Sequence, residues 1–297
     1  MENELINGIS NRELYYLSNN ANKLYHRITI PKKNGKYRIV YAPSQNLKWC
    51  QKQIAENYLN DYHISKYATA YQRKISIVDN AAVHSNKKFI LKLDIENFFG
   101  SIDFNKVFNM FYRHYPKNIS KLFAEICTYK DTLVQGSPAS PVISNIVMYD
   151  IDTIIGNLCR ERGVTYTRYC DDLTFSSNAK LYDVYHFVKR LLLKYGFYLN
   201  GRKTHFVNNS HQQNVTGIVV NKKPQVSAEY RRKLRQEIYY CKKYGVENHI
   251  AHCNLNYSAC EYLYKLKGKI GFVLSVNKND KEFTEYLVFI NDLIKIF

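Results

Sequence analysis

Two adjacent carboxylates, Asp171 and Asp172, follow a segment that is typical of a β-strand. Residues 164–170 before them are rich in β-branched and aromatic side chains, and residues 173–176 can pair back antiparallel. The two acids are therefore expected at the tip of a hairpin, where Asp is common. Two anionic groups so close together repel each other unless a cation joins them, and oxygen ligands of this kind select Mg²⁺. Because a solvated turn explains most such pairs, this pair alone does not establish a metal site.

A third carboxylate, Asp94, ends the mostly apolar segment 88–94, which predicts a central strand of a sheet. If this strand lies beside the hairpin, three acids from distant parts of the chain converge. Three convergent carboxylates can hold two Mg²⁺ ions about 4 Å apart, as in polymerases and nucleases. The alternative is that Asp94 is only a turn residue or a helix cap at the end of its strand.

The charge balance points to a polyanionic partner. The 297 residues carry 43 Lys and Arg against 25 Asp and Glu, a formal charge of +18, and neutralising phosphates releases counterions. The alternative is a basic protein without such a partner. The 27 Tyr and 15 Phe include rings that can stack on unpaired bases, although most are expected in the core. Seven scattered Cys without a C-x-x-C pair predict a reducing, cytoplasmic location. There is no apolar run of 18 residues that would predict a membrane span.

A strong hairpin signal lies at residues 28–43, where two strand-like runs flank Asn34 and Gly35. Its tip and second strand carry the basic residues Lys32, Lys33, Lys36 and Arg38. A mobile basic hairpin can close over a triphosphate. The alternative is a charged strand edge that discourages aggregation.

The remaining elements follow from hydrophobic periodicity. Apolar residues three and four positions apart predict helices at 45–60, 103–111, 140–158 and 184–195, with Asp103 as a cap. Strands are also predicted at 197–199 and 214–220. This order predicts an α+β core built on a carboxylate-bearing sheet. From residue 225 onward the sequence is mainly helical and basic, which suits contact with a nucleic-acid backbone.

Four segments, in order along the chain, resemble the motifs of a reverse transcriptase. Residues 89–103 resemble the motif with the first metal-binding Asp, and residues 135–141 (Gln-Gly-Ser-Pro-Ala-Ser-Pro) resemble the motif that lines the nucleotide pocket. The Tyr-Cys-Asp-Asp sequence at 169–172 resembles the Tyr-x-Asp-Asp box, and residues 196–203 resemble the motif that follows it. With 28–43 as the fingers hairpin, the resemblance spans nearly the whole chain.

The resemblance implies an α+β right-hand polymerase fold, in which an antiparallel palm sheet carries the catalytic acids. The fingers would comprise residues 1–85, including N-terminal helices. The palm would comprise residues 86–222, interrupted by an inserted fingers segment at about 104–140. An RNA-binding, helical thumb would comprise residues 223–297.

The resemblance also assigns roles at the metal site. Asp94, Asp171 and Asp172 would hold two Mg²⁺ ions, with Asp94 and Asp171 as the main ligands. The backbone carbonyl of Ile95 would touch the ion that binds the nucleotide. The reaction implied is attack by a primer hydroxyl on a dNTP with release of pyrophosphate.

Further residues are implied at the dNTP. Arg38 and Lys36 would clamp the triphosphate, and Gln135 would contact the incoming sugar or its base pair. Lys203 would help to protonate the pyrophosphate, the alternative being a surface lysine near a strand end.

Phe99 stands where the family places its steric gate. A bulky ring there clashes with a ribose 2′-OH and so favours dNTPs over rNTPs. The adjacent Phe98 should point differently and fill the core, although Phe99 as a core residue is the alternative.

Two shorter signatures narrow the resemblance to retron reverse transcriptases. Asn-Ala-x-x-His fits residues 80–84, and Val-Thr-Gly fits residues 215–217. Such enzymes bind a cognate noncoding RNA, the msr-msd transcript, and prime from the 2′-OH of a guanosine within it to make msDNA. The residues expected to recognise RNA are Asn80, His84, Val215, Thr216, Gly217, Arg231, Arg232 and Arg235. The alternatives are a buried, hydrogen-bonded His84 and a bulge at Gly217.

Retron enzymes also serve in antiphage defence, where enzyme and msDNA restrain a toxic effector protein encoded nearby. Two other functions remain open from the sequence. One is a non-retron bacterial reverse transcriptase of the abortive-infection or group II-like type. The other is an inactive RNA-binding scaffold, against which the three intact acids argue.

Overall fold

The computed structural model describes residues 5–6, 8–31, 35 and 37–296. The strands within them are β1 Tyr25–Pro31, β2 Tyr37–Pro43, β3 Phe89–Asp94, β4 Thr165–Tyr169, β5 Asp172–Ser177, β6 His205–Asn208, β7 Asn214–Val215 and β8 Ile218–Val219. The helices are α1 Asn11–Asn20, α2 Gln45–Asn57, α3 Ile77–Ala82, α4 Phe104–Tyr112, α5 Lys117–Cys127, α6 Ser140–Val147, α7 Tyr149–Glu161, α8 Tyr182–Lys194, α9 Ala228–Tyr244, α10 Val246–His252, α11 Ala259–Val276 and α12 Lys281–Ile294. This mixture of helices and antiparallel strands confirms the predicted α+β class.

Contacts along the backbone divide the chain into two compact units. The first comprises Met1–Lys74 and Leu91–Phe206, and the second comprises Ile75–Ile90 and Val207–Phe297. Each unit is therefore built from two separate segments of sequence. The finer division into fingers, palm and thumb stays a prediction.

The sheet that carries the predicted acids has four strands in the order β4-β5-β3-β6. β4 and β5 form an antiparallel hairpin in which Tyr169 pairs with Asp172, which leaves Cys170 and Asp171 at the tip. β3 lies between β5 and β6, so the strand ending in Asp94 is central, as predicted. Its apolar side chains are largely buried, which holds its end in a fixed position.

Two predicted strands are wrong in detail. Residues 197–199 form only an isolated bridge between Ile95 and Leu199. The fourth strand is instead β6, whose mostly exposed side chains give no alternating pattern. Residues 214–220 fold into the tight β7–β8 hairpin, whose turn residues Thr216 and Gly217 have φ of 47° and 87°. Positive φ at both central residues is typical of a two-residue hairpin turn.

The helices of the first unit pack around aromatic side chains. Asp103 caps α4 as predicted, since its Oδ1 accepts a hydrogen bond from the Lys106 N–H at 2.8 Å. Phe111 of α4 and Phe123 of α5 are fully buried, and their ring centroids lie 5.4 Å apart in an edge-to-face contact.

The helical pattern at 140–158 is correct, but it belongs to two helices, α6 and α7, which bend by 50° at Met148. Across the described part of the chain, no single helix is long and apolar enough to cross a membrane. Only this bent pair meets the length and composition criteria, and only when both helices are counted together.

The predicted basic hairpin is present. β1 and β2 pair antiparallel from Tyr25 with Pro43 to Pro31 with Tyr37, and Arg38 lies opposite Ile30. At the tip only Gly35 is described, and Lys32, Lys33, Asn34 and Lys36 lie outside the described residues.

In the second unit, helices α9 to α12 surround an apolar core of their own. Its most deeply buried side chains are Leu234, Ile238, Leu263, Leu266, Ile270, Val273, Phe283 and Ile290. A smaller cluster joins α3 to the β7–β8 hairpin through Ala81, Val215 and Ile218.

Candidate active site

All three predicted acids line one cleft of about 830 Å³ in the first unit. Asp94 ends β3, Asp171 lies at the hairpin tip, and Asp172 begins β5. The N–H of Ile95 donates to the carbonyl oxygen of Asp171 at 3.0 Å, which joins the end of β3 directly to the tip. The structure therefore brings these distant acids together.

The hairpin tip has an unusual backbone conformation. Cys170 has a φ of 58°, in the left-handed region that non-glycine residues seldom adopt. Such a residue costs about 1–3 kcal/mol and persists only where the surroundings hold it. The hydroxyl of Tyr71, another residue with positive φ (61°), donates to the Cys170 sulfur at 3.2 Å. No sequence pattern around Tyr71 predicts its place in this cleft.

The surroundings of Asp172 perturb its carboxyl group. The pKa of Asp172 is raised, first by desolvation against the cleft wall and then by the negative charges of Asp171 and Asp94. The ammonium group of Lys203 donates to Asp94 Oδ2 at 2.6 Å. That hydrogen bond, with the charges of the three acids, raises the pKa of Lys203 in spite of some desolvation. The cleft therefore attracts cations.

The chemistry of these donors suits a hard divalent cation, because carboxylate and backbone carbonyl oxygens are the ligands that Mg²⁺ prefers. Within the described residues, no group of three or more His, Cys, Asp or Glu side chains is already arranged around a common metal position. One oxygen of Asp94 accepts from Lys203, so a cation bound at Asp94 would share that carboxylate with the lysine.

The predicted gate residue and its neighbour lie in different environments. Phe98 is buried at 4% exposure, whereas Phe99 is partly exposed at the cleft. This agrees with Phe98 as the core residue of the pair.

The predicted nucleotide-pocket motif packs against the basic hairpin. The Tyr41 N–H donates to the Gln135 carbonyl at 3.2 Å. Gly136 has a φ of 126°, and a Cβ there would lie 2.4 Å from the Tyr41 carbonyl oxygen, so only glycine permits this approach. Arg38 and Gln135 both line the cleft.

The two short signatures meet inside the second unit. The Asn80 side-chain amide donates to the Thr216 hydroxyl at 3.3 Å, and that hydroxyl donates to the Ile77 carbonyl at 3.2 Å. Asn80, His84 and Val215 are buried, whereas Gly217 is exposed at the turn. Burial lowers the pKa of His84 to about 3, so this side chain is neutral at physiological pH.

The three predicted RNA-binding arginines of α9 differ from one another. Arg231 pairs with Asp280 and with Glu282, and its guanidinium lies over the Phe283 ring. Arg235 makes two hydrogen bonds to Glu282, at 2.5 and 2.8 Å. Both therefore help to hold α9 against α12. Arg232 and Arg235 are exposed, whereas Arg231 is partly buried.

One set of residues near the site was not predicted. Arg168 of β4 is fully buried and contacts Asp152 of α7, Asn145 of α6 and the Cys170 carbonyl. The sequence signal for this set was Arg168 itself, a charged residue within a strand-like run of β-branched and aromatic residues. Its partners could not be identified without the fold.

Comparison with known proteins identifies the family and the fold of this chain. The family described as "Reverse transcriptase (RNA-dependent DNA polymerase)" matches residues 30–220, which include all three acids. Among solved structures, the apo telomerase of Candida tropicalis aligns with a TM-score of 0.51 at 12% identity, over 91% of this chain and 57% of that one. The telomerase of Candida albicans gives a TM-score of 0.50 at 10% identity, over 90% and 66% of the two chains. At these identities the likeness concerns the fold alone.

Curated relatives are more similar in sequence. The retron Ec86 reverse transcriptase of Escherichia coli is 31% identical over 288 residues, or 94% of this chain and 85% of that protein. The retron Ec83 reverse transcriptase of Escherichia coli is 32% identical over 273 residues, or 85% of this chain and 83% of that protein. The chain therefore belongs to the reverse transcriptase family and, within it, to the retron reverse transcriptases.

Proposed function

We propose that this protein copies part of a cognate structured noncoding RNA into msDNA, as the polymerase of a bacterial retron. RNA-directed DNA polymerase activity follows from its family. The observation that carries the proposal for this chain is the cleft in which Asp94 of β3 meets Asp171 of the hairpin. Such a site suits attack by a primer hydroxyl on the α-phosphate of a dNTP, with pyrophosphate as the leaving group.

Reverse transcriptases generally use divalent metal ions. We infer two Mg²⁺ ions here, held by Asp94, Asp171 and Asp172 with the backbone carbonyl of Ile95. The fit rests on the oxygen donors and on the mutual repulsion of the acids, which a cation relieves. When bound, such ions supply charge that acidifies the attacking hydroxyl and stabilises the leaving pyrophosphate.

The chain's own side chains position the nucleotide. Arg38 on β2 binds triphosphate oxygens, where a guanidinium can bind in bidentate fashion, and Lys36 assists it. Gln135 contacts the incoming sugar or its base pair. The Lys203 ammonium group moves away from Asp94 and then donates a proton to the pyrophosphate. Phe99 excludes a ribose 2′-OH by the bulk of its ring.

RNA recognition is assigned to the second unit. Because Asn80 is buried and donates to Thr216, we propose that it holds the Thr216–Gly217 turn against RNA, and that the buried His84 supports the same region of the second unit. Arg232 contacts phosphates directly, and Arg231 and Arg235 support the helix that presents it. The partner is the msr-msd transcript, primed at a guanosine 2′-OH, and the msDNA product restrains a toxic effector in antiphage defence.

Primer extension on an RNA template with Mg²⁺ and dNTPs tests the polymerase function. Wild-type protein should extend the primer, and no extension under any divalent metal would contradict the assignment. Sequencing the nucleic acid that co-purifies with the protein tests the retron assignment. A branched RNA–DNA molecule is expected, and unbranched DNA alone would instead indicate a non-retron reverse transcriptase.

A further inference from the structure

The largest fully buried side chain of the described residues is a charged one, Arg168, and its partner Asp152 is also fully buried. Removing two charges from water costs free energy that their attraction barely offsets, so a buried ion pair is weak evidence of stabilisation. The pair lies directly below the hairpin tip that carries Asp171.

One edge of the Arg168 guanidinium is held by Asp152, and the opposite edge contacts the tip of the β4–β5 hairpin. Nε donates to Asp152 Oδ1 at 2.9 Å, and Nη2 donates to Oδ2 at 2.7 Å. This bidentate pairing sets the plane of the group. Nη1 then donates to Asn145 Oδ1 and to the carbonyl oxygen of Cys170, both at 3.1 Å.

The bond to Cys170 is one of two anchors that enclose Asp171. The carbonyl before Asp171 is held by Arg168, and the carbonyl of Asp171 itself is held by the Ile95 N–H at 3.0 Å. Together they fix the backbone on both sides of the carboxylate. They also account for the positive φ of Cys170, which needs restraint from its surroundings.

We propose that Arg168, oriented by Asp152, is a positioning residue that sets the direction of the Asp171 carboxylate toward the metal and the primer end. Asn145 extends the same network to α6, which follows the nucleotide-pocket motif, and its amide donates to the Ala70 carbonyl at 2.9 Å. The network therefore joins α6, α7, the β4–β5 hairpin and the segment at Ala70. This role rests on the proposed polymerase function.

The test compares Arg168→Lys with wild type. Lysine keeps the charge but cannot bind Asp152 and the Cys170 carbonyl together, because it lacks the planar fork. We expect kcat for primer extension to fall about a hundredfold, the scale of loss for a misplaced catalytic group. Mn²⁺ affinity, measured by electron paramagnetic resonance without turnover, should fall about tenfold.

Gln51→Ala is the matched control, because it removes buried hydrogen bonds to Tyr25 and to the Ile126 carbonyl in the same unit. It should lower the thermal unfolding midpoint while kcat and Mn²⁺ affinity stay near wild type. Asp152→Asn, which keeps the shape of the side chain, is the second test variant in case Arg168→Lys does not fold. It should lower kcat and Mn²⁺ affinity in the same direction.

The proposal is overturned if the test variants lose no more kcat than Gln51→Ala, or if their Mn²⁺ affinity equals that of wild type. Wild-type protein that extends no primer would instead refute the proposed function. In that case the Mn²⁺ measurement still decides whether Arg168 positions Asp171.

Discussion

The ammonium nitrogen of Lys203 lies 2.6 Å from Oδ2 of Asp94, in the cleft that Asp171 and Asp172 also line. The lysine side chain is 60% exposed, so it can leave the acid without uncovering the core. A metal ion at Asp94 would meet this positive charge. Under the proposed metal site, Lys203 and a divalent cation would therefore compete for the same carboxylate.

Replacement of Lys203 by Met should strengthen metal binding and slow catalysis. Lys203 is largely exposed although Asp94 is buried, so we expect the pair to contribute about 1 kcal/mol and the gain in Mn²⁺ affinity to be about fivefold. The rate should fall because the proton donor to pyrophosphate is lost. Mn²⁺ titration and single-turnover extension measure the two effects. Arg202→Met, at the exposed neighbour, should change neither, and unchanged metal affinity in Lys203→Met would exclude competition.

Asp171→Asn and Asp172→Asn should each reduce primer extension to background while RNA binding remains. An amide cannot supply the negative charge that a divalent cation requires, but it preserves the shape of the tip. Extension and filter binding of RNA are measured on the same preparations. The control is Asp150→Asn, which removes a surface pair with Arg113 and should retain activity. Activity equal to wild type in either tip variant would contradict the assigned site.

Phe99→Ala should permit insertion of rNTPs, because the space that the ring denies to a 2′-OH becomes open. Phe98→Ala should instead destabilise the protein by about 3–5 kcal/mol, since it empties a buried position. Competition between dNTP and rNTP and thermal unfolding separate the two effects. Unchanged sugar selectivity in Phe99→Ala would place the gate elsewhere.

The sequence predicted the elements that carry the acids because their signals are local. The β-branched and aromatic residues before Cys170 and the apolar run before Asp94 identify two strands without knowledge of the fold. The Asp103 cap and the Asn-Gly hairpin are equally local. In contrast, the break between α6 and α7 at Met148 was missed, because both helices share one continuous apolar pattern.

Contacts between distant segments could not be predicted from such patterns. Nothing in the sequence around Arg168 indicates Asp152 as its partner, and nothing around Lys203 indicates its contact with Asp94. The contact between Asn80 and Thr216 was also missed, although each signature was recognised separately. These pairings depend on the order of strands in the sheet and on the packing of helices against it.

The burial of His84 predicts a loss of stability in acid. Its pKa is lowered from 6.5 to about 3, first by desolvation, so the unfolded chain takes up a proton in this range that the folded protein does not. The folded protein therefore keeps its full free energy of unfolding with respect to His84 above pH 6.5, and this free energy declines as the pH falls toward 3. At pH 5 the loss should be about 2 kcal/mol. Urea unfolding at pH 7.5 and pH 5 should show a larger decrease in the free energy of unfolding for wild type than for His84→Asn. Equal decreases would contradict a lowered pKa of His84 as the cause.

The different environments of Arg232 and Arg235 predict different consequences for RNA binding. Arg232 is exposed, so Arg232→Gln should weaken RNA binding and reduce the slope of log affinity against log salt by about 1. Arg235 is bound to Glu282, so Arg235→Gln should lower the stability of the helical region by about 1 kcal/mol or less and leave the salt slope near wild type. RNA affinity from 50 to 300 mM salt and thermal unfolding measure the two quantities. A wild-type affinity that does not change with salt would mean that the basic surface of α9 does not contact phosphates.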